Sequence, residues 1–425
     1  MIIEQLKEKD FIRVKKELSQ NFLPEKSVID TVTEILGDVK NNGDDAVIRY
    51  TQKFDGFKPQ PLQVSNDEMD LAYKAVPSDF INILQKSREN IERFHINQLP
   101  KSWEIEPENG QKMGQLVRPL ESVALYVPGG KAAYPSSVLM NAIPAQIAGV
   151  ERIAILTPAD ANGKVNDGVL AAAKVLGIEE VYKIGGAQAI GAAAMGTDSI
   201  AAVDKIVGPG NIYVAEAKRQ VYGLVDIDMI AGPSEVLVIA DDDANPSWIA
   251  ADLLAQGEHD ERAGMILVTP SVRLAEQVAI ELVKQTERLS RNKILMESLK
   301  YAKAYIVENL DQAFDLSNIL APEHLELQIN DPYPYLDKVK NAGSVFLGAF
   351  TPETLGDYMA GPNHTLPTSG AARYASPLGV YDFIKRPSYL SFSESALNKV
   401  STDLQVFANL EGLTAHANAV KVRCS

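Results

Sequence analysis

The 425-residue sequence predicts an α/β protein in which helices cover parallel sheets. Between about residues 138 and 350, short β-branched runs alternate with helical stretches, a pattern typical of parallel sheets. Hydrophobic residues make up 46% and charged residues 23%, which is the composition of an ordinary globular protein. The length indicates roughly two to four domains. No stretch approaches the ~18 uninterrupted apolar residues of a membrane-spanning helix.

The chain to about residue 95 is predicted to be mostly helical. Segments 30–39 and 78–94 place apolar residues three and four apart with charged residues between them. His95 directly follows the second segment in a charged helical stretch, and we expect it to be a solvated surface residue. Segment 103–127 alternates polar and apolar residues around Asn109-Gly110, which favours a β-hairpin.

The middle of the chain supplies the strands of the predicted parallel sheets. They are predicted at 152–157, 180–184, 205–207, 236–240, 265–268 and 344–347. One helix is expected to begin at Asn245-Pro246, with the asparagine as the cap and the proline in the first turn. Another is expected to begin at Ser271 and to bury a row of apolar side chains, namely Leu274, Val278 and Leu282. In such sheets, ligands bind at the carboxyl ends of the strands.

The last part of the chain loses this alternation. After Pro377-Leu378-Gly379 the sequence predicts a helical tail over about 401–422. The tail has too little apolar surface to form a domain by itself. We therefore expect it to pack on the body of the protein or on another subunit.

Charge and cysteine content limit the compartment and the partners. The formal net charge is -15 and the pI is 4.9, so the protein repels nucleic-acid backbones and anionic membranes. Cys424 is the only cysteine, which excludes an intrachain disulfide and suits a reducing compartment. The first residues carry charges where a signal peptide needs an apolar run. The expected compartment is the cytoplasm.

Two glycine-rich turns follow predicted strands and precede helical stretches. They are Gly185-Gly186-Ala187-Gln188 and Gly208-Pro209-Gly210-Asn211. Free N–H groups at such helix starts can bind a phosphate, although ordinary turn chemistry also explains glycines there. Neither a G-x-G-x-x-G motif after a strand nor a G-x-x-x-x-G-K-[ST] motif occurs.

Several side chains suit a divalent cation. Gln256 and His259 are three residues apart at a predicted helix end, so both can face one point. Asp357 lies in a predicted turn beside Gly356. Imidazole, carboxylate and amide oxygen are ligands that suit zinc. The spacing alone does not separate this hypothesis from ordinary hydrogen-bonded side chains.

Glu323-His324 offers two adjacent proton acceptors. The pair can supply one base for water and one for an alcohol, but it equally fits a helix start at which glutamate complements the helix dipole. The only thiol lies next to the chain terminus. An aldehyde oxidation here would therefore need activated water rather than a covalent thiol intermediate.

Six segments in this order resemble the signature blocks of the histidinol dehydrogenase family, over about residues 30–420. The segments are Tyr126-Val127-Pro128-Gly129-Gly130, Gly208-Pro209-Gly210-Asn211, Ala231-Gly232-Pro233-Ser234-Glu235, Gln256-Gly257-Glu258-His259-Asp260, Ala321-Pro322-Glu323-His324 and Gly361-Pro362-Asn363-His364. The resemblance implies two NAD-dependent oxidations, from L-histidinol through L-histidinal to L-histidine, which close histidine biosynthesis. It also implies one zinc ion per active site.

The resemblance also implies roles for individual residues. His324 would accept the alcohol proton, and Glu323 would activate water. The implied zinc ligands are Gln256, His259, Asp357 and His416. The implied substrate contacts are these four ligands with Ser234, His324, His364 and Glu411. The implied NAD contacts are Tyr126, Gln188 and Asn211.

The family fold consists of two incomplete Rossmann-like domains, similar to aldehyde dehydrogenases, with small helical arms exchanged across a homodimer. The expected boundaries are an arm at 1–20, a metal-binding domain at 21–122 with 234–376, an NAD-side domain at 123–233, and an arm at 377–425. Glu411 and His416 would then act in the partner's site. The open alternatives are a zinc dehydrogenase for another amino alcohol, a metallohydrolase without NAD, and a non-catalytic NAD or metal sensor.

Overall fold

A six-stranded parallel sheet combines one strand from the start of the chain with five strands from its second half. The computed structural model describes residues 1–19, 24–129, 134–230 and 232–424. In spatial order the strands of this sheet are Ile2–Gln5, Lys303–Ile306, Gly264–Thr269, Glu235–Ala240, His324–Gln328 and Ser344–Leu347.

A second parallel sheet has five strands. In spatial order these are Glu180–Tyr182, Arg152–Leu156, Ser122–Tyr126, Lys205–Val207 and Asp226–Ile227. Two small antiparallel sheets pair Trp103–Ile105, Gln111–Gln115 and Ser388–Phe392, and Arg118–Pro119 with Ile384–Lys385. The predicted parallel sheets and the hairpin around Asn109-Gly110 are confirmed.

All six strands predicted in the middle of the chain are present, but three strands of the large sheet were missed. They are Ile2–Gln5, Lys303–Ile306 and His324–Gln328. The last of these alternates polar and apolar residues, which is typical of a half-exposed strand. In the structure its polar residues are buried as well, including Glu326 at 0% exposure. His324 therefore begins a strand, and the alternative of a helix start at Glu323-His324 is wrong.

Helices cover both parallel sheets. The α-helices are Phe11–Ser19, Lys26–Asp55, Asn66–Ala75, Ser78–His95, Pro135–Ala148, Asp167–Val175, Gly186–Met195, Ile212–Val221, Pro246–Gly257, Val272–Thr286, Asn292–Ser298, Leu310–Leu320, Glu353–Tyr358, Glu394–Leu410 and Thr414–Lys421. The predicted caps are confirmed. The Asn245 side chain accepts hydrogen bonds from the backbone N–H groups of Ser247 and Trp248, and Ser271 accepts one from Leu274.

The packing differs from the expected grouping at the start of the chain. The helix Lys26–Asp55 packs with Gly186–Met195 and Ile212–Val221 on one face of the five-stranded sheet. The sequence analysis grouped this helix with the other sheet. Ile2–Gln5, expected in a helical arm, is instead an edge strand of the six-stranded sheet. Segment 20–23, at the expected boundary, lies outside the described residues.

The predicted helical tail is confirmed as the helices Glu394–Leu410 and Thr414–Lys421. Several large apolar side chains of these helices are exposed, including Phe407 at 66% and Leu410 at 83%. Within a single chain the tail therefore keeps an uncovered apolar surface. None of the described helices has the length and apolar composition needed to cross a membrane.

His95 is buried, at 0% exposure, and the prediction of a solvated surface residue is wrong. Its Nδ1 lies 2.8 Å from Oε1 of Gln98, which satisfies one side of the ring. Burial lowers the pKa of His95 below its usual value of 6.5. The prediction failed because the many charged residues of this helix suggested a solvent-facing position, whereas His95 faces inwards.

We expect the buried His95 to make stability depend on pH. As pH falls below 6.5, the unfolded chain binds a proton that the folded chain still excludes. The stability that neutral His95 contributes is therefore present above that pH and is lost as pH falls through the lowered pKa. Between about pH 7.5 and about pH 5.5, urea unfolding of His95→Gln should show a smaller loss of free energy than the wild type. Equal losses in the two proteins would contradict this expectation.

Candidate active site

The predicted catalytic pair lies at the amino end of the six-stranded sheet. His324 is the first residue of the strand His324–Gln328, and the neighbouring strand begins at Glu235. The helix Pro246–Gly257 returns to the same edge and ends just before His259. This is the opposite edge of the sheet from the carboxyl ends of the strands, where ligands were expected.

The backbone of Glu235 orients both members of the pair. Its N–H donates to Oε2 of Glu323 at 2.9 Å, and its carbonyl oxygen lies 3.2 Å from Nδ1 of His324. Because a carbonyl can only accept, Nδ1 carries the proton and Nε2 keeps its lone pair. The side chain of Ser234 also hydrogen-bonds the Glu323 carboxyl group. The local geometry thus presents Nε2 of His324 as a proton acceptor.

Burial controls the charge of the pair. Burial, with a smaller contribution from the neighbouring His259 and His364, lowers the pKa of His324 to about 3. Burial likewise raises the pKa of Glu323 well above its usual value, with a further rise from the charges of Glu235 and Asp357. The imidazole of His324 is therefore neutral near pH 7, as a general base must be.

Three ligand groups from two segments converge beside this pair. One ligand atom from each of His259, Glu353 and Asp357 lies within 4.8 Å of the other two. Glu353 and Asp357 are one turn apart on the helix Glu353–Tyr358, so their carboxyl groups share a face. The structure thus brings His259 and Asp357 together as predicted, and it adds Glu353, which the sequence analysis did not select.

The donor atoms of this cluster suit a divalent cation. Oε1 of Gln256 and Oε2 of Glu353 are buried and have no hydrogen-bond partner among the described residues. A buried acceptor without a partner is costly, and a cation would satisfy both atoms. Burial lowers the pKa of His259 and so keeps its ring neutral, as metal binding requires. Oxygen and imidazole donors together fit zinc.

His364 connects this cluster to the helix Pro135–Ala148. Its Nδ1 lies 3.8 Å from Oδ1 of Asp357, and its Nε2 lies 3.4 Å from Oγ of Ser137. Burial lowers the pKa of His364 to about 4 and raises that of Asp357 to about 7. Ser137 was missed in the sequence, because a serine in the first turn of a helix gives no signal of a site.

Two predicted site residues lie apart from the cluster. Glu411 and His416 are exposed on the tail, and neither joins the ligand group in the described part of a single chain. Two residues of the quoted signature blocks, Gly130 and Ala231, lie outside the described residues.

A separate cavity of about 790 Å³ opens at the carboxyl ends of the five-stranded sheet, where ligands were expected. Its lining includes all three predicted NAD contacts, Tyr126, Gln188 and Asn211. Both polar side-chain atoms of Gln188 are buried without a partner among the described residues, so they suit a polar ligand. The volume falls within the range of small-molecule and cofactor pockets, roughly 300–1,000 Å³.

Hydrogen bonds and one close backbone contact hold the loops around this cavity in place. The hydroxyl oxygen of Tyr126 accepts a hydrogen bond from the N–H of Gly186 at 3.1 Å. Gly208 has a φ of +111°, and a Cβ atom there would meet the carbonyl oxygen of Tyr126 at 2.1 Å. The N–H of Gly208 donates to Asp228 at 2.7 Å. Lys218 forms an ion pair with Asp228 and also donates to the carbonyl oxygen of Gly208 at 3.0 Å.

Asn211, a predicted NAD contact, has a structural role in the fold. Its side-chain oxygen caps the helix Ile212–Val221 by accepting from the N–H groups of Tyr213 at 3.0 Å and Val214 at 3.1 Å. The amide nitrogen is the remaining group with which it can contact a ligand in the cavity.

Comparisons with known proteins agree on one family. The family model described as histidinol dehydrogenase matches residues 19–424. Histidinol dehydrogenase from Lactococcus lactis is 52% identical over 98% of this chain and 99% of its own length. The one from Clostridium acetobutylicum is 53% identical over 93% and 92%. A crystal structure of histidinol dehydrogenase from Elizabethkingia anophelis has a TM-score of 0.95 at 38% identity, over 100% of this chain and 98% of that one.

Proposed function

The chain belongs to the histidinol dehydrogenase family, and from this premise we propose which of its residues carry out the reaction. It is an oxidoreductase of histidine biosynthesis that oxidises L-histidinol through L-histidinal to L-histidine, and its family uses NAD and zinc. Because the chain belongs to this family of oxidoreductases, we reject the alternatives of a metallohydrolase without NAD and of a non-catalytic sensor. The convergence of Glu323, His324 and a cluster of cation ligands is the observation that carries the assignment of residues.

Gln256, His259 and Asp357 would hold the metal, together with His416 from a second copy of the chain. The unpartnered Gln256 oxygen and the proximity of His259 to Asp357 support this set. When bound, zinc supplies a template that orients the substrate, and NAD accepts hydride.

His324 acts as the general base for the alcohol. Its Nε2 is free to accept because Nδ1 donates to the carbonyl of Glu235. The ring is neutral near pH 7, so it accepts the hydroxyl proton as hydride leaves the carbon. Ser234, His364 and Glu411 bind the polar groups of the substrate, as do His324 and the metal ligands.

Glu323 takes a proton from the water that attacks the aldehyde carbon. A covalent route would need a thiol at the site, and the only cysteine, Cys424, lies near the end of the tail. Addition of water gives the aldehyde hydrate, and the former aldehyde oxygen takes the proton that His324 accepted from the alcohol. His324 then accepts a proton again while the second hydride leaves, and the product is a carboxylate.

The cavity at the five-stranded sheet binds NAD through Tyr126, Gln188 and Asn211. The unpartnered polar atoms of Gln188 support this placement. We keep residues 123–233 as the NAD-side domain and 234–376 as the main part of the metal-binding domain, with residues 377–425 as the arm. Among the first 122 residues, the helix Lys26–Asp55 belongs with the NAD-side domain, because it packs on the five-stranded sheet. The strand Ile2–Gln5 belongs with the metal-binding domain, because it is an edge strand of the six-stranded sheet.

The functional unit is a homodimer in which the tails exchange. Exposed apolar side chains on the tail, such as Phe407 and Leu410, supply a surface for a second copy. Exchange would also bring Glu411 and His416 to a site that one chain leaves incomplete. The acidic charge and the lack of a disulfide favour the cytoplasm and disfavour a nucleic-acid partner.

Substitutions of the two proposed bases should have different effects on the number of NADH formed per L-histidinol. We expect the wild type to form two NADH per L-histidinol, and His324→Asn to lose about 10²–10⁴-fold in kcat. Glu323→Gln should keep more of the first oxidation than of the second, so histidinal accumulates and the yield falls towards one NADH. Absorbance of NADH and chromatography of the products measure both. His95→Gln is the control for a buried histidine outside the site, and a wild-type rate with Glu323→Gln would contradict the assignment.

Mixed chains should reveal a shared site. We expect His416→Asn and His324→Asn to be inactive alone, because each damages every site of its own dimer. Refolded together, they form mixed dimers with one intact site, which should restore roughly a quarter of wild-type activity. Size-exclusion chromatography confirms the dimer. Activity that stays at the level of the separate variants would refute the exchange of tails.

A further inference from the structure

Glu353 lies in the cation-binding cluster although the family resemblance gave it no role. Its side chain is buried, at 2% exposure, and Oε2 has no hydrogen-bond partner among the described residues. One of its carboxyl oxygens is within 4.8 Å of ligand atoms of both His259 and Asp357. The position of this carboxyl group is therefore that of a ligand.

The fold holds Glu353 in place through its backbone. Its N–H donates to Oε1 of Glu326 at 2.9 Å, and Glu326 is fully buried in the strand His324–Gln328. This contact fixes the start of the helix Glu353–Tyr358 against the strand that carries His324. The side chain is then presented on the same face as Asp357.

The surroundings of Glu353 are acidic. The carboxyl groups of Asp357, Glu326, Glu323 and Asp252 all lie near enough to act electrostatically on it. Among the ion pairs of the described residues, none joins Glu353 to a lysine or an arginine. Burial of a carboxyl group in such surroundings is costly unless a positive charge balances it. A divalent cation between Glu353 and Asp357 supplies that charge.

Charge balance favours the same arrangement. Amide and imidazole ligands bring no charge to a metal, so Asp357 alone would leave a divalent cation with a net positive charge. A second carboxylate makes the centre neutral.

We propose that Glu353 is an additional metal ligand, which binds the divalent cation in the substrate-free enzyme. The inference rests on the proposed site, because it takes Gln256, His259 and Asp357 as its other ligands from the same chain. It assigns the second negative charge of the centre to a residue on the helix that already carries Asp357.

Binding of Co²⁺ to metal-free full-length protein tests the proposal without any turnover. We expect Glu353→Gln to weaken Co²⁺ binding by about 10–100-fold, measured by competition with a chelating dye. The visible absorption of the bound Co²⁺ should also change, because a donor atom leaves the metal. Asp252→Asn is the matched control, since it removes a buried carboxyl group that is outside the ligand group. Its Co²⁺ spectrum should match the wild type.

Thermal unfolding separates a metal ligand from a structural residue. Without metal, Glu353→Gln should be at least as stable as the wild type, because the amide removes one of several crowded, buried carboxyl groups. With Co²⁺ it should gain less stability than the wild type. Failure of the metal-free variant to fold, or unchanged Co²⁺ affinity and spectrum, would overturn the proposal.

Asp357→Asn distinguishes this failure from failure of the whole site. If Asp357→Asn weakens Co²⁺ binding while Glu353→Gln does not, the role of Glu353 is wrong and the proposed site stands. If neither variant weakens binding, the metal is bound elsewhere and both proposals fall.

Discussion

The active site depends on the need to balance buried carboxyl groups with a cation. Glu323 and Glu353 are buried and Asp357 is half-buried at the amino end of one sheet, and loss of solvent raises the pKa of each of them. None of the described ion pairs links these three groups to lysine or arginine. Without a positive charge the cluster is costly. Metal binding and the protonation states of the catalytic residues are therefore two aspects of one electrostatic constraint.

The parallel sheet orients His324 so that it can act as a base. His324 pairs in register with Val236 on the adjacent strand, so the backbone of Glu235 lies just before it. One peptide N–H and one carbonyl of this residue bind Glu323 and His324. The side chains of Glu323 and His324 thus point towards the proposed metal ligands, and the tautomer of His324 is fixed. The backbone supplies this orientation, so it survives changes in most neighbouring side chains.

Six strands in the middle of the chain and the helix caps at Asn245 and Ser271 could be predicted because they depend on local patterns. Burial of polar side chains could not be predicted from such patterns. The strand His324–Gln328 and the inward position of His95 were missed because their polar residues are typical of solvent-facing segments. Glu353 was missed for a similar reason, since an acidic residue in the first turn of a helix is ordinary. Residue type and spacing suggested Gln256, His259 and Asp357 as ligands and the family resemblance added His416, but only the folded chain shows that His259 and Asp357 meet.

The central claim is that these separate segments enclose one divalent ion. Anomalous diffraction at the zinc edge, from crystals of the zinc-loaded protein, tests it most directly. The account predicts a single strong peak per chain, in contact with Gln256, His259 and Asp357 and beside Glu323-His324. A peak elsewhere in the molecule, or none in crystals whose protein retains catalytic activity, would contradict it.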